Sequence, residues 1–208
     1  MNGVGGIAGL VLAGGLSRRM GGRDKSLTTL AGVPMIARVI ERLVPQVGRL
    51  AISANADPAA FAAFGLPVLP DLRPGNTGPL AGVATGMAWA ARDPEITHLV
   101  SVATDAPFLP RDLVARFVGR ASPGRIVLAR SASGRHPVFG LWPLALRDDL
   151  DHWLATSPTM RVFTWVEPHD PVWCDFEPEG PGAPDPFFNA NTPDDLVAAA
   201  AHLDDGMG

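Results

Sequence analysis

The chain opens its ordered pattern with an unbroken apolar run at residues 7–13, Ile-Ala-Gly-Leu-Val-Leu-Ala, which ends on glycines at 14 and 15. A run of that length and continuity predicts a strand buried on both faces. From position 34 the period changes, with Ile36, Val39, Ile40, Leu43, Val44 and Val47 recurring three and four residues apart. That spacing predicts an amphipathic helix with Pro34 suited to its first turn. Pro45 should end or bend it, because the ring removes a backbone donor and clashes with the preceding turn. A second strand is expected at 50–53, a short Ala/Phe helix at 58–64, a strand near Val68, a helix at 79–91 and a strand at 98–103. A helix at 110–120, strands at 126–129 and 137–141, helices at 144–154 and 160–166, and a last helix at 193–203 complete the pattern.

Strands alternating with helices predict βαβ units, hence an α/β fold whose mostly parallel sheet carries helices on both faces. Such sheets bind ligands beyond the carboxyl ends of their strands. Residues 167–188 hold six prolines and several acids, which predicts a surface excursion rather than a core element. The length of 208 residues suits one domain over 1–208, with the ends 1–5 and 204–208 expected to fray.

A composition of 47% hydrophobic and 18% charged residues is too apolar for a disordered chain, and no apolar stretch is long enough to span a bilayer. With no basic segment ahead of the first apolar run and a single cysteine, Cys174, a cytoplasmic location is expected. The net charge of −4 argues against a general nucleic-acid surface. Against that acidic background, Arg18, Arg19, Arg23 and Lys25 crowd into eight positions with Asp24 as the only acid, which points to a small polyanion.

The strongest local signal follows the first strand: Leu12-Ala13-Gly14-Gly15-Leu16-Ser17-Arg18-Arg19-Met20-Gly21-Gly22-Arg23-Asp24-Lys25. Glycines at 14, 15, 21 and 22 let backbone N–H groups approach an anion, and the guanidinium and ammonium groups neutralise its charge. The spacing is neither G-x-x-x-x-G-K-[ST] nor G-x-G-x-x-G, so ATPase and dehydrogenase readings weaken. Asp105 follows the strand at 98–103, where a carboxylate can hold a divalent cation against a triphosphate or merely turn the chain before Pro107. Asp71 opens the turn-rich stretch 71–78, and its carboxylate could accept from both N1–H and the exocyclic amine of guanine or serve as an ordinary turn residue. Ahead of the last helix, Asn189 and Asn191 precede Thr192, Pro193, Asp194 and Asp195; N-capping by Thr192 accounts for part of that pattern.

Leu-Ala-Gly-Gly followed by Arg-Met-Gly and Asp-Lys resembles the signature loop of the molybdenum cofactor guanylyltransferases. Three later segments resemble that family in the same order: Gly78-Pro79-Leu80-Ala81-Gly82, Thr104-Asp105-Ala106-Pro107-Phe108, and Phe188-Asn189-Ala190-Asn191-Thr192-Pro193-Asp194-Asp195-Leu196. The resemblance covers nearly the whole chain. It implies a Rossmann-like nucleotidyltransferase fold, GTP and molybdopterin as substrates, and Mg2+ as the required ion. It implies catalytic roles for Lys25, Arg19 and Asp105, with Asp105 as the metal ligand. It also implies nucleotide contacts from Leu12, Ala13, Gly14, Gly15, Lys25, Asp71 and Asp105. At the end of the second strand the family usually has an asparagine; alignment by strand end puts Ser53 there, so the contact falls to Ser53 or Asn55. Asn191, with Asn189, is the second-tier candidate for the acceptor or the metal. His136-Pro137 resembles the family's His-Pro near the acceptor, and no catalytic role is assigned to it. Transient contact with molybdoenzymes or other cofactor-biosynthesis proteins is expected, and none with nucleic acid or membrane. Competing readings are a molybdopterin cytidylyltransferase, a sugar-phosphate nucleotidyltransferase and, in another class, a non-catalytic adaptor that delivers the cofactor.

Overall fold

The computed structural model describes residues 4–14, 27–72 and 78–205. Its strands are β1 (Ile7–Leu12), β2 (Thr29–Leu30), β3 (Val33–Pro34), β4 (Arg49–Ser53), β5 (Val68–Leu69), β6 (His98–Ala103), β7 (Val127–Ser131), β8 (Gly134–Pro143) and β9 (Val172–Asp175). The helices are α1 (Met35–Leu43), α2 (Pro79–Ala90), α3 (Leu113–Val118), α4 (Arg147–Thr156), α5 (Val162–Val166) and α6 (Pro193–Asp205). Seven strands form one sheet in the order β5-β4-β1-β6-β8-β7-β9, and β2 and β3 pair separately as a hairpin. Only β8 runs antiparallel to its neighbours β6 and β7 in that sheet; β5, β4, β1 and β6 are parallel, as are β7 and β9. The chain is therefore a Rossmann-like α/β fold with a mostly parallel sheet, as its alternating pattern predicts.

The unbroken apolar run of β1 is explained by burial on both faces. Ile7 and Val11 join Ile36, Val39 and Leu43 of α1 and Phe117 of α3 in one core cluster. Ala8 and Leu10 join Leu80, Val83 and Met87 of α2, Leu150 of α4 and Trp165 of α5 on the opposite face. Close approach of α2 rests on Gly86: a Cβ there would lie 2.7 Å from Leu10 Cδ2 and 2.8 Å from Leu99 Cδ2. A third, smaller cluster of Leu30, Met35, Phe108, Ala190 and Ala199 attaches α6 to the β2–β3 hairpin.

Two of the following local expectations change, and the one for Pro45 holds. Pro34 pairs with Thr29 at the end of β3, so α1 begins one residue later, at Met35. Pro45 lies in a short 3-10 turn, Val44–Gln46, which follows α1, consistent with its missing N–H. The proline-rich stretch 167–188 contains β9, which pairs with β7 at the sheet edge, and its Phe176 and Phe187 are buried. Prolines flank β9 at 171 and 178 but do not interrupt it, and an edge position tolerates them there. Among the described residues no helix is long and apolar enough to cross a membrane.

Candidate functional site

After β1 the chain moves outward to β4 and β5, then crosses to β6 on the other side of β1, so the strand order reverses between β1 and β6. A crevice at such a reversal, beyond the strand carboxyl ends, is where open α/β sheets bind ligands. The register makes that edge level: Leu12 lies opposite both Ser53 and Ala103, and Ser53 lies opposite Leu69. Gly14, Asn55, Asp71 and Asp105 each stand two residues beyond one of those four strand ends. The sheet thus brings together positions that the sequence scatters over ninety-one residues, 14 to 105.

Leu12 is half-buried, Ala13 is buried and Gly14 is exposed at the mouth of the crevice. The Ala13 N–H donates to the Ser53 carbonyl at 2.8 Å, which carries the β1–β4 ladder one step past β1 and aims Gly14 over the edge. Gly15, Arg19 and Lys25 lie outside the described residues. On the far side of that loop, Leu30 packs in the cluster that contains Phe108 and Ala190. Both flanks of the glycine-rich segment are therefore attached to parts of the same site.

The two candidates at the end of β4 occupy different environments. Ser53 is 3% exposed, and a Cβ on Gly82 of α2 would come within 2.7 Å of its Oγ, so this side chain sits under the first turns of α2. A larger asparagine would not fit in that gap, which gives a packing reason for serine here. Asn55 is exposed and grips Asp71: its Nδ2 donates to Asp71 Oδ2 at 2.7 Å, and the Asp71 N–H donates to its Oδ1 at 2.9 Å. The next amide, Leu72 N–H, donates to buried Thr85 Oγ1 of α2 at 3.2 Å, which fixes the start of the loop on the helix.

Across the crevice, the Asp105 carbonyl accepts from the Ala190 N–H at 2.9 Å, so the turn after β6 and the segment before α6 are joined beside the aspartate itself. Asn189 and Asn191 flank Ala190 and are exposed. The predicted capping is present: Asp195 N–H donates to Thr192 Oγ1 at 3.1 Å, while Asp195 Oδ2 accepts from the Thr192 and Asn191 amides at 2.7 and 2.9 Å. Helix capping thus occupies the Asn191 main chain. One carboxylate with nearby amide oxygens and phosphate oxygens is a fitting donor set for magnesium, which keeps waters and needs only one or two carboxylates. Among the described residues no group of three or more His, Cys, Asp or Glu could hold a metal on its own.

His136 begins in the same quarter of the molecule, on β8, and its ring lies 4.6 Å from that of buried Phe187. Burial pushes its imidazole below the ordinary range, opposed by the charge of Asp185. Reading 167–188 as a mere excursion overlooks Asp185, which binds Ser131 Oγ at 2.7 Å. The available signal was an aspartate two residues before an aromatic pair, since Asp185 Oδ1 accepts from the Phe187 N–H at 2.8 Å in an Asx turn. A cavity of about 640 Å³ lies elsewhere, between α1, α3 and residues 177–186, and Arg42, Arg111, Arg116, Asp112, Asp175 and Glu179 are among those lining it. It contains none of the crevice residues, so the chemistry is assigned to the crevice.

Residues 9–171 match the MobA-like NTP transferase domain. The molybdenum cofactor guanylyltransferase of Mesorhizobium japonicum is 48% identical over 199 residues, which span 95% of this chain and 96% of that protein. The crystal structure of molybdopterin-guanine dinucleotide biosynthesis protein A from Archaeoglobus fulgidus superposes with a TM-score of 0.72 at 19% identity, covering 95% and 99% of the two chains. A manganese complex of a Mycobacterium tuberculosis protein shares the fold, with a TM-score of 0.67 at 17% identity over 94% and 98% of the chains. With a domain match over most of its length and a relative this similar from end to end, the chain belongs to the MobA-like nucleotidyltransferases and, within them, to the molybdenum cofactor guanylyltransferase family.

Proposed function

We propose that the crevice transfers GMP from GTP to molybdopterin, releasing pyrophosphate, with Mg2+ as the required ion. The observation that carries this reading is the level carboxyl edge, which places Gly14, Asn55, Asp71 and Asp105 around one opening. Asp71, held by Asn55, accepts from N1–H and the exocyclic amine of guanine; each carboxylate oxygen has two acceptor sites, so the Asn55 bond leaves capacity for the base. Leu12, Ala13 and Gly14 line the approach to the triphosphate, with Ser53 supporting Ala13 from behind through its carbonyl, and Gly15 is assigned a phosphate contact by the family resemblance. Asp105 would hold the magnesium ion, which would supply positive charge to neutralise the triphosphate.

The acceptor's terminal phosphate oxygen attacks the α-phosphorus in line, forming the new P–O bond. The bond from that phosphorus to the bridging oxygen breaks, and pyrophosphate leaves with the electron pair. Lys25 and Arg19 neutralise the charge that grows on it, and no covalent nucleophile on the protein is needed. Asn189 and Asn191 hold the acceptor or complete the ion's ligands. The enzyme acts as one domain in the cytoplasm and passes its product to molybdoenzymes or other cofactor-biosynthesis proteins by transient contact.

The test is pyrophosphate release from GTP, CTP, ATP and UTP in turn, with magnesium and molybdopterin. Release with GTP alone is expected. Release with CTP would make the enzyme a cytidylyltransferase and remove the role given to Asp71. Tight GTP binding without release from any nucleotide would make it a delivery adaptor.

A further inference from the structure

Ser131, His136 and Asp185 come together from β7, β8 and the segment before α6, yet they are not arranged for nucleophilic catalysis. The Ser131 hydroxyl donates to Asp185 Oδ2 at 2.7 Å, and His136 Nε2 lies 2.7 Å from the same Oγ. A hydroxyl has one proton, and a carboxylate can only accept. The proton on Ser131 is thus committed to Asp185, and the His136 contact requires Nε2–H to donate to Ser131. A histidine that donates to a serine is in no state to deprotonate it, and the acid that would orient a catalytic histidine binds the serine instead. These bonds give the cluster a structural or positioning task.

What the cluster positions follows from its other bonds. Asp185 Oδ2 also accepts from the Ser133 N–H at 3.3 Å, and Oδ1 accepts from the Phe187 N–H at 2.8 Å. The Asp185 carbonyl accepts from the Phe188 N–H at 2.9 Å. Burial pushes the Asp185 carboxyl up, but the hydrogen bonds from Ser131, Phe187 and Ser133 together outweigh it and keep it ionised. Phe187 is 1% exposed, wedged between His136 and Phe139, whose ring lies 4.8 Å away. The other end of the same stretch is the Ala190 N–H bond to the Asp105 carbonyl. Residues 185–190 are therefore a short bridge fastened at one end to the β7–β8 hairpin and at the other to the turn that carries Asp105.

We propose that Asp185 is a positioning residue for nucleotidyl transfer, which by binding Ser131 and Ser133 fixes the 185–190 bridge and so sets Asn189 and Asn191 against Asp105. This rests on the reading of those asparagines as acceptor-side groups. The bridge lies across the crevice from the Asn55–Asp71 pair, so its loosening affects the acceptor step and spares nucleotide binding. Misplacement of a positioning group by about 1 Å can cost roughly a hundredfold in rate.

The test compares Asp185→Ala, Ser131→Ala, Ser131→Thr and Asn191→Ala in steady-state transfer from GTP to molybdopterin. GTP affinity is titrated separately without acceptor, and amide exchange is followed at Phe187 and Ala190. Asp185→Ala and Ser131→Ala should lower kcat/KM for molybdopterin roughly ten- to a hundredfold with GTP affinity unchanged. Ser131→Thr, which keeps the hydroxyl, should restore it, and both amides should exchange faster in Asp185→Ala. GTP affinity falling in step with kcat/KM would mean general damage to the fold and overturn the proposal, as would equal behaviour of Ser131→Ala and Ser131→Thr. A loss in Asn191→Ala without one in Asp185→Ala overturns the proposal alone; no loss in Asn191→Ala removes the underlying reading and the proposal with it.

Discussion

Asn55 and Asp71 hold each other in both directions, amide to carboxylate at 2.7 Å and backbone N–H to amide oxygen at 2.9 Å, across the ends of two adjacent parallel strands. On the proposed reading the pair makes base selection a joint property. Asp71→Asn replaces an acceptor by a donor facing guanine's own donors, so it should lower kcat/KM for GTP by roughly 10⁴-fold at most and tenfold at least. Asn55→Ala leaves the carboxylate but frees its orientation, and should produce a smaller loss of the same kind. Pyrophosphate release with GTP and CTP measures both, and equal GTP preference in all three proteins would sink the assignment.

In the proposed mechanism Asp105 and Lys25 act on charge rather than on the base. Asp105→Ala should abolish magnesium-dependent turnover, whereas Lys25→Ala should spare much of GTP binding and lower kcat by roughly 10²- to 10³-fold. Single-turnover transfer alongside GTP titration separates the two effects. Unchanged rates in both variants would remove the mechanism.

How much of this was legible in the sequence depends on the range of the interaction. The strand at 98–103 was fully legible because it is buried on both faces, and Asp105 follows from where that strand stops. The Thr192–Asp195 cap is local and could be read directly. The Asn55–Asp71 pair joins residues sixteen apart and the Ser131–Asp185 bond residues fifty-four apart, so only the sheet register and loop path disclose them. Strand β9 was hidden because flanking prolines signal irregularity, while its pairing with β7 depends on residues forty-five positions away, as in the Arg130–Asp175 ion pair. The helix expected at 110–120 shortens to α3 at 113–118, with residues 111 and 112 in a turn ahead of it.

Gly86 is one of two tight points between α2 and the sheet, with Gly82. Alanine there would place its methyl within 2.8 Å of both Leu10 and Leu99, and neither leucine is exposed at all. Helix propensity favours alanine by about 1 kcal/mol, but overpacking costs typically about 1–3 kcal/mol. Gly86→Ala should therefore be net destabilising by up to about 2 kcal/mol in urea unfolding. A gain in stability would show that α2 can shift freely.

Gln46 joins the end of α1 to the turn after β6. Its Nε2 donates to the Arg42 and Pro110 carbonyls at 2.8 and 2.9 Å, and its Oε1 accepts from the Val114 N–H at 3.0 Å. The side chain is 8% exposed, so Gln46→Ala strands a buried donor and acceptor at the start of α3. The expected loss is about 2 kcal/mol in urea unfolding, with no change in nucleotide preference. A loss near zero would mean that water replaces the amide.

Two histidines give the fold a dependence on mild acid. Burial lowers the imidazole pKa of His98, whose Nδ1 lies 2.9 Å from Thr97 Oγ1, and burial likewise lowers that of His136 against the opposing charge of Asp185. In the unfolded chain both return to about 6.5. Between the depressed folded values and that figure the unfolded state binds more protons, so stability rises with pH through the window. It is fully present above about 6.5 and is lost as pH falls toward the folded values. The Asp175 and Asp185 carboxyls, both held below their usual range, lose their contribution only at more acid pH, below about 3.9. Thermal unfolding followed from about pH 7.5 to about pH 5.5 should show a falling Tm, and His98→Gln should flatten part of that slope. A Tm that holds steady or climbs on acidification would mean that both imidazoles protonate in the folded state as easily as in the unfolded one.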